Sequence, residues 1–336
     1  MQATLIFNRS AGGGDYLDIH AALDAIRDAG YEPVYRPTRS EHDLDAALAH
    51  SEGLIVAAGG DGTIRGIITR LVHNTLPLAV IPMGTANNVG AALGIQGDPL
   101  ELISRLADPV HVNYDLGRIQ GPWGIDYFLE GAGFGFFADV LHSYQPKKGK
   151  SILRGLEAFR DTLAKEYAIS GRLWLDGQEY SGNYLLVEML NTTAVGPRLK
   201  FAPGADPTDG LLDVVRIHKD TREGFLAYMV SMFNGGLETL DTVSVDRAKE
   251  IKFLWTGFSI HIDAELWPPE AMEDRGAAPE DDHKISPFWL QIPEEQPITV
   301  DVLPSAIELW LPEPAPERPP AAAPQDLQQA QPENSD

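Results

Sequence analysis

Residues 54–68 read Leu-Ile-Val-Ala-Ala-Gly-Gly-Asp-Gly-Thr-Ile-Arg-Gly-Ile-Ile, and this stretch decides the fold. The continuous apolar run 54–58 suits a strand buried on both faces. Ile64, Ile67, Ile68, Leu71 and Val72 then recur at helical spacing and form one apolar stripe. Between strand and helix lie Gly59, Gly60, Asp61, Gly62 and Thr63. Glycine lets a backbone turn tightly and approach a ligand without a Cβ clash. The helix start offers free N–H groups and a positive dipole end, which suits phosphate. Thr63 can cap the helix or donate to a phosphate oxygen. Asp61 would repel a bare phosphate, so it is expected to act through Mg2+ or ordered water. The plainer alternative is a tight glycine turn with no ligand.

Outward from this stretch, the first third alternates strand and helix. Residues 3–7 and 33–36 are short β-rich runs, and 78–81 is another. Ile19, Ala22, Leu23 and Ile26 mark a helix that Gly30 can stop; Leu44, Ala47 and Leu48 mark a second, and 98–107 a further one. This rhythm predicts a mostly parallel sheet with helices on both faces. In such a sheet ligands collect at the carboxyl ends of the strands. Two more loops fall there: Asn8-Arg9-Ser10-Ala11-Gly12-Gly13-Gly14 after the first strand, and Pro82-Met83-Gly84-Thr85-Ala86-Asn87-Asn88 after the fourth. Together the three loops outline a nucleotide site.

After about Asp115 strand-like segments dominate: 127–130, 172–175, 184–190, 212–218, 250–253, 259–263 and 298–302, with helical stretches near 152–165 and 223–233. They predict a second, mainly antiparallel β domain. Gly and Pro gather at 116–124, where the boundary is expected. Residues 268–287 read as an acidic insertion loop, and the Pro-, Ala- and Gln-rich tail from Pro312 as disordered.

The length of 336 residues also favours two domains. There is no cysteine, so disulfide and thiolate chemistry are excluded. No run of about 18 apolar residues exists to span a bilayer, and the start lacks the basic region of a signal peptide. Cytoplasmic placement is expected, with peripheral contact at the membrane. The net charge of −23 disfavours nucleic acid and anionic lipid in bulk. Any phosphate or membrane contact must be local. The basic cluster Lys147, Lys148, Lys150 and Arg154 is either that contact or a solvated turn.

The Gly-Gly-Asp-Gly-Thr loop, the Pro-x-Gly-Thr-x-Asn loop and the Asn-x-x-x-Gly start resemble the catalytic domain of diacylglycerol, sphingosine and ceramide kinases, with the bacterial lipid kinases closest in length. In the second half, Phe201-Ala-Pro203-Gly-Ala205-Asp206-Pro-Thr-Asp209-Gly210-Leu211-Leu212-Asp213-Val214 is similar to the family's Pro-x-Ala…Asp-Gly-x-Leu-Asp segment. Ile262-Asp263-Ala264-Glu265 is similar to its Asp-Gly-Glu strand end, and Val302-Leu303-Pro304-Ser305-Ala306 to its closing strand. The resemblance covers about residues 1–311. It implies an α/β nucleotide-binding domain (1–117) and a β-sandwich domain (118–305). It further implies a strand returning to the first domain (306–311), a tail (312–336) and an active site in the interdomain cleft. By position it implies ATP held by Asn8, Ser10, Thr38, Gly59, Gly60, Asp61, Gly62, Thr63, Gly84, Thr85 and Asn87. A structural Mg2+ would sit on Asp206, Asp209 and the carbonyl of Leu211, which are hard oxygen ligands.

Asp263 and Glu265, two apart on a strand, would share a face with Ser259 and His261 and point to a cleft or to solvent, while Phe258, Ile260 and Ile262 point to the core; the plainer alternative is a solvated strand end. One acid would take the proton of the acceptor hydroxyl and the other orient it, Asp263 being the preferred base. Phosphoryl transfer asks mainly for positioning and charge neutralisation. Phe134, Phe136 and Phe137 would line an acyl path or simply pack the core. Asn88 stands where the bacterial relatives usually carry Asp, so one carboxylate is missing from that loop. Arg65-Gly66 stands for Asn-Glu, Glu130 for Asn, and Ala264 for Gly. The expected activity is an ATP-dependent lipid kinase with a diacylglycerol-like acceptor. The alternatives are a catalytically silent nucleotide- or lipid-binding protein on this fold, and a kinase of a soluble acceptor as in NAD kinase. The sequence leaves the identity of the lipid open, and leaves open whether the chain forms a homodimer.

Overall fold

The computed structural model describes residues 1–8, 17–38, 41–138, 168–219, 225–267 and 296–314. Ser10, the basic cluster at 147–154, the helix expected over 152–165, the stretch 268–287 and the tail beyond 314 lie outside them.

The apolar runs of the first domain form the parallel strands β1 (Gln2–Asn8), β2 (Glu32–Thr38), β3 (Leu54–Gly59) and β4 (Leu78–Pro82). They lie in the order β4-β3-β1-β2. Every residue of β3 is buried, as a strand covered on both faces requires. The helices are α1 (Ile19–Asp28), α2 (Glu41–Ala49), α3 (Asp61–Leu71), α4 (Asn88–Ala92) and α5 (Pro99–Ser104). α1 packs against α5 and α2 against α3. Asp18 and Asp98 start α1 and α5 by accepting hydrogen bonds from the second and third helical amides; such caps contribute about 1 kcal/mol each. Asn8 pairs with Thr38 and Gly59 with Pro82. The ligand-side ends of all four strands are therefore brought level.

The second domain is the expected antiparallel β-sandwich. Its strands are β5 (Val110–Gly121), β6 (Gly124–Phe128), β7 (Gly131–Gly135), β8 (Ile169–Leu175), β9 (Gln178–Leu190), the short β10 (Ala194–Val195) and β11 (Leu199–Lys200), β12 (Leu212–His218), β13 (Val243–Ala248), β14 (Glu250–Trp255), β15 (Ile260–Ile262), β16 (Glu265–Trp267) and β17 (Gln296–Leu311); helix α6 is Phe225–Asn234. β9 belongs to both layers: its first half pairs with β8, its second with β7 and β12. Between the layers lie Phe128, Phe134, Leu173, Met189, Val214, Phe253, Trp255, Ile260 and Val300. Alternate residues of β12 show why this sheet is so apolar. Leu212 and Val214 enter the sandwich core, while Val215 and Ile217 enter a separate cluster with Phe136, Phe137, Phe201, Tyr228 and Met232. The three phenylalanines Phe134, Phe136 and Phe137 are thus core residues.

The domains meet through two long strands. β17 pairs with β14 in the sandwich, with β5 along most of its length, and in parallel with β4 at Leu309–Leu78. β5 crosses as well: Tyr114 and Leu116 belong to the first core, Ile119 to the second. The Gly and Pro at 121–122 are the β5–β6 turn, so the crossing is a continuous paired strand.

Candidate active site

The loops that follow β3 and β4 converge. Gly60 precedes α3 in an extended conformation, and its carbonyl accepts from the amides of Thr63 and Ile64 at 2.9 and 3.1 Å. The Met83 amide donates to Gly59 O at 2.8 Å, which locks the second loop onto the first. The contact is backbone on backbone: a Cβ on Gly84 would lie 2.7 Å from the Cα of Gly60. Asn87 holds a left-handed conformation, accepting from the Gly84 amide at 2.7 Å and donating to its carbonyl at 2.9 Å. Thr85 is exposed between them. Thr38, at the end of β2, is 2 % exposed, and its hydroxyl is buried without a hydrogen-bond partner. Packing explains Gly59, Gly60 and Gly84. It does not explain Gly62, where a Cβ would meet no atom within 4 Å.

Asp61 lies beside the start of α4, where the amides of Asn87, Val89 and Asn88 favour its ionised form. It therefore ties the two loops together; burial pushes its carboxyl up while those amides pull it back.

The expectation that Asp263 and Glu265 share a strand face with His261 is corrected. Ile262 pairs with Glu265, so Asp263 and Ala264 are the two turn residues between β15 and β16. Asp263 has φ +52°, a left-handed value that Asp tolerates better than most side chains. Ala264 is not left-handed, so glycine is not required there. The strand preceding the turn is buried on both faces, with His261 and Ile262 both 0 % exposed. Asp263 itself is 4 % exposed. Its Oδ1 accepts from the amides of Leu129, Glu130 and Gly131 at 3.1, 2.8 and 3.3 Å. Its Oδ2 accepts from Arg65 Nε at 3.0 Å. Burial pushes the Asp263 carboxyl up, against the pull of Arg65 and the three amides. Glu265 is exposed and reaches Arg65 Nη1 at 3.3 Å.

Arg65, noted in the sequence only as a departure from the family pattern, joins the two domains. It stands two positions after Thr63 on α3, and its guanidinium also meets Asp126 Oδ2 at 3.1 Å. One side chain of the first domain thus gathers three acids of the second. Beside it, Asn88 donates to Glu130 Oε2 at 2.8 Å and to Gly196 O at 2.9 Å. Position 88 is neutral, yet a carboxylate stands against it from the other domain. Burial, with Asp263 and Asp61 nearby, pushes the Glu130 carboxyl well above its ordinary range. Arg198 closes the same side, donating to Ala86 O at 2.8 Å.

The segment 206–211 lies elsewhere on the second domain and does not present an open ligand set. Asp206 accepts from the amide and hydroxyl of Thr208, at 3.0 and 2.6 Å. Asp209 accepts from the Leu211 amide at 2.9 Å and pairs with the Arg247 guanidinium. Arg247 also reaches Asp213 at 3.7 Å. The loop is anchored by Asp115, a buried carboxylate that accepts from Gly210 N and Ser305 N, both at 2.7 Å. Among the described residues no group of three or more His, Asp or Glu side chains is arranged to hold a metal ion. As they stand, the Asp206 and Asp209 carboxylates are engaged by Thr208, by the Leu211 amide and by Arg247.

A glycine-looped parallel sheet set against a β-sandwich, with acids gathered where they meet, defines a two-domain kinase architecture. The model of the family described as diacylglycerol kinase catalytic domain matches residues 2–119, and that described as YegS C-terminal NAD kinase beta sandwich-like domain matches residues 148–291. A diacylglycerol kinase of Bacillus subtilis is 31 % identical over 255 residues, covering 70 % of this chain and 79 % of its own. One of Mycobacterium tuberculosis is 29 % identical over 279 residues, covering 80 % and 90 %. The crystal structure of a diacylglycerol kinase from Bacillus anthracis shares the fold, with a TM-score of 0.63 at 19 % identity over 92 % of this chain and 96 % of that one. The chain belongs to the diacylglycerol kinase family of lipid kinases.

Proposed function

We propose that this protein transfers the γ-phosphate of ATP to the hydroxyl of a diacylglycerol-like lipid, with Asp263 as the proton acceptor. The observation that carries this reading is the Arg65–Asp263 bond of 3.0 Å. It joins the turn of α3 that follows the glycine loop to the candidate base across the domain boundary. The amides at the start of α3, with Gly62 and Thr85 exposed beside them, would receive the phosphate chain. ATP supplies the phosphoryl group and carries Mg2+ as the counter-ion of its phosphates. Asp263 Oδ1 is filled by three amides, so the hydroxyl proton would pass to Oδ2. Arg65 favours the ionised form of that oxygen, and Glu265, at the exposed end of the turn, would orient the acceptor.

The lipid would be met at the membrane surface. No helix among the described residues is long and apolar enough to cross a membrane. One observation favours the silent alternative: Arg65 already occupies the oxygen that a base must offer. The deciding experiment supplies labelled ATP with diacylglycerol in mixed micelles, and in parallel with a total lipid extract and with NAD. Labelled lipid that falls by two or more orders of magnitude in Asp263→Asn supports the proposal. Bound ATP with no labelled lipid would establish the silent reading, and label on NAD the soluble-acceptor one.

A further inference from the structure

His261 on β15, Gly133 on β7 and Glu188 on β9 stand side by side across three strands. Both outer side chains are 0 % exposed. Neighbouring strands lie about 4.8 Å apart, so the two side chains must meet above the middle strand. They can do so because position 133 has no side chain: a Cβ there would lie 2.5 Å from Glu188 Oε2. Above it, His261 Nε2 and Glu188 Oε2 are 2.7 Å apart. On the other side of the ring, Nδ1 lies 2.9 Å from the carbonyl oxygen of Asp263. Phe137 closes over the imidazole edge-on, with ring centroids 4.7 Å apart.

These contacts fix the protons. A carbonyl oxygen only accepts, so Nδ1 must carry a hydrogen. The Nε2–Oε2 bond then holds one proton, and the pair is neutral as a unit. Losing that proton would leave an uncompensated charge in an apolar layer, which is costly. The charged group facing the pair from the turn is Asp263, itself bonded to Arg65; across β12 Glu188 meets Val215.

Asp263 is held on every other side. Its amide donates to Gly131 O at 2.7 Å, and its carboxylate takes three amides and a guanidinium. Its carbonyl is the remaining tie, and His261 supplies it. A side-chain-bearing residue at positive φ persists only where its surroundings over-determine it. We propose that His261 and Glu188 form a positioning pair: Glu188 keeps the imidazole donating from Nδ1, and that donor pins the peptide after Asp263 so the carboxylate keeps its aim into the hollow. This rests on Asp263 being the proton acceptor.

Two substitutions separate positioning from packing. His261→Asn places a donor where Nδ1 was and gives up Glu188. His261→Gln places a donor where Nε2 was and gives up the Asp263 carbonyl. Hydrogen exchange at the amides of Leu129, Glu130 and Gly131 reports the aim of the carboxylate, and kcat with KM for ATP reports its use. His261→Asn should keep exchange and kcat within about threefold of wild type. His261→Gln should speed exchange and lower kcat by tenfold or more, with KM for ATP unchanged. Equal behaviour of the two variants, in exchange or in kcat, would overturn the proposal. If the wild-type protein transfers no phosphate, the kinase reading fails, and the exchange measurement alone decides the tie to Asp263.

Discussion

Replacing Arg65 by Met keeps the aliphatic stem and removes the charge that joins the domains. The Arg65 side chain is 15 % exposed and that of Asp263 6 %. The guanidinium has bonds of 3.0, 3.1 and 3.3 Å to Asp263, Asp126 and Glu265. Two charges about 4 Å apart attract by about 4 kcal/mol at an effective dielectric of 20. Much of that is offset by the desolvation already paid on folding. Breaking a buried pair by removing one partner costs about 3–5 kcal/mol, because the other charge is stranded. Here Glu265 is exposed and regains water, and Asp126 partly so. The expected loss is therefore about 2–4 kcal/mol, most of it at Asp263, the most buried of the three acids. Denaturant unfolding of wild type, Arg65→Met, Asp263→Asn and the double variant measures it. Asp263→Asn in the Arg65→Met background should recover at least about 1 kcal/mol, a coupling typical of contacting charges. The pH profile has a definite sign too. Arg65 favours the ionised carboxylate, so its removal raises the Asp263 carboxyl further and moves the acid limb of kcat to higher pH. Additive substitutions, with an unmoved acid limb, would show that Arg65 and Asp263 do not act on one another.

Gly62→Ala should leave the fold intact and add about 0.5–1 kcal/mol of helix stability, since nothing crowds a Cβ there, yet weaken ATP binding about tenfold by calorimetry. Asn88→Asp should cost about 2–3 kcal/mol by setting a second carboxylate against Glu130 at hydrogen-bond distance, and Glu130→Gln in the same chain should recover it in denaturant unfolding. Millimolar Mg2+ should raise the unfolding midpoint of wild type no more than matched ionic strength does, because Arg247 holds Asp209; Arg247→Ala should make Mg2+ stabilising, and a strong Mg2+ effect on wild type would contradict this. Burial raises the Asp213 carboxyl to about 6. The native state therefore binds that proton more tightly than the unfolded chain, and wild type loses stability as pH climbs from about 4 to 6. The advantage of Asp213→Asn should grow over that range and level off above it, as thermal unfolding against pH would show.

The first domain was legible because its signals are local. The run 54–58 is apolar throughout as a strand buried on both faces must be, and the loops follow their strands directly. The sandwich was half legible. β7 was missed because glycines alternate along it at 131, 133 and 135, although Ala132 and Phe134 between them enter the core. The glycines are there because the neighbouring strand crowds that face: Cβ atoms would strike Leu190 and Glu188 at 131 and 133. The turn at Asp263 was missed because Ala264 is no turn signal and the left-handed residue is the acid itself. Arg65 could not be assigned at all. Its partners lie 61 to 200 positions away, and nothing in its own neighbourhood marks it as more than a helix surface charge.

The departures at positions 65, 88 and 130 make sense only as a set. Each looks like erosion when read alone: a neutral loop residue at 88, a charge in place of an amide at 65, an acid in place of an amide at 130. In space they are neighbours. Asn88 donates to Glu130, the Glu130 amide donates to Asp263, and Asp263 accepts from Arg65. A carboxylate absent from the α4 side of the hollow is present on the sandwich side, and the amide it needs has moved the other way. An Asp at 88 would remove the donor that Glu130 Oε2 accepts from and set a second carboxyl in its place, so Asn88 is what Glu130 requires. Arg65 then offsets part of the charge that Asp61, Glu130 and Asp263 concentrate in one buried place. A site losing its function would be expected to shed buried charges, which are expensive to keep. Here they are retained, paired and hydrogen-bonded across the domain boundary, and that weighs for a working phosphotransferase over a silent relative.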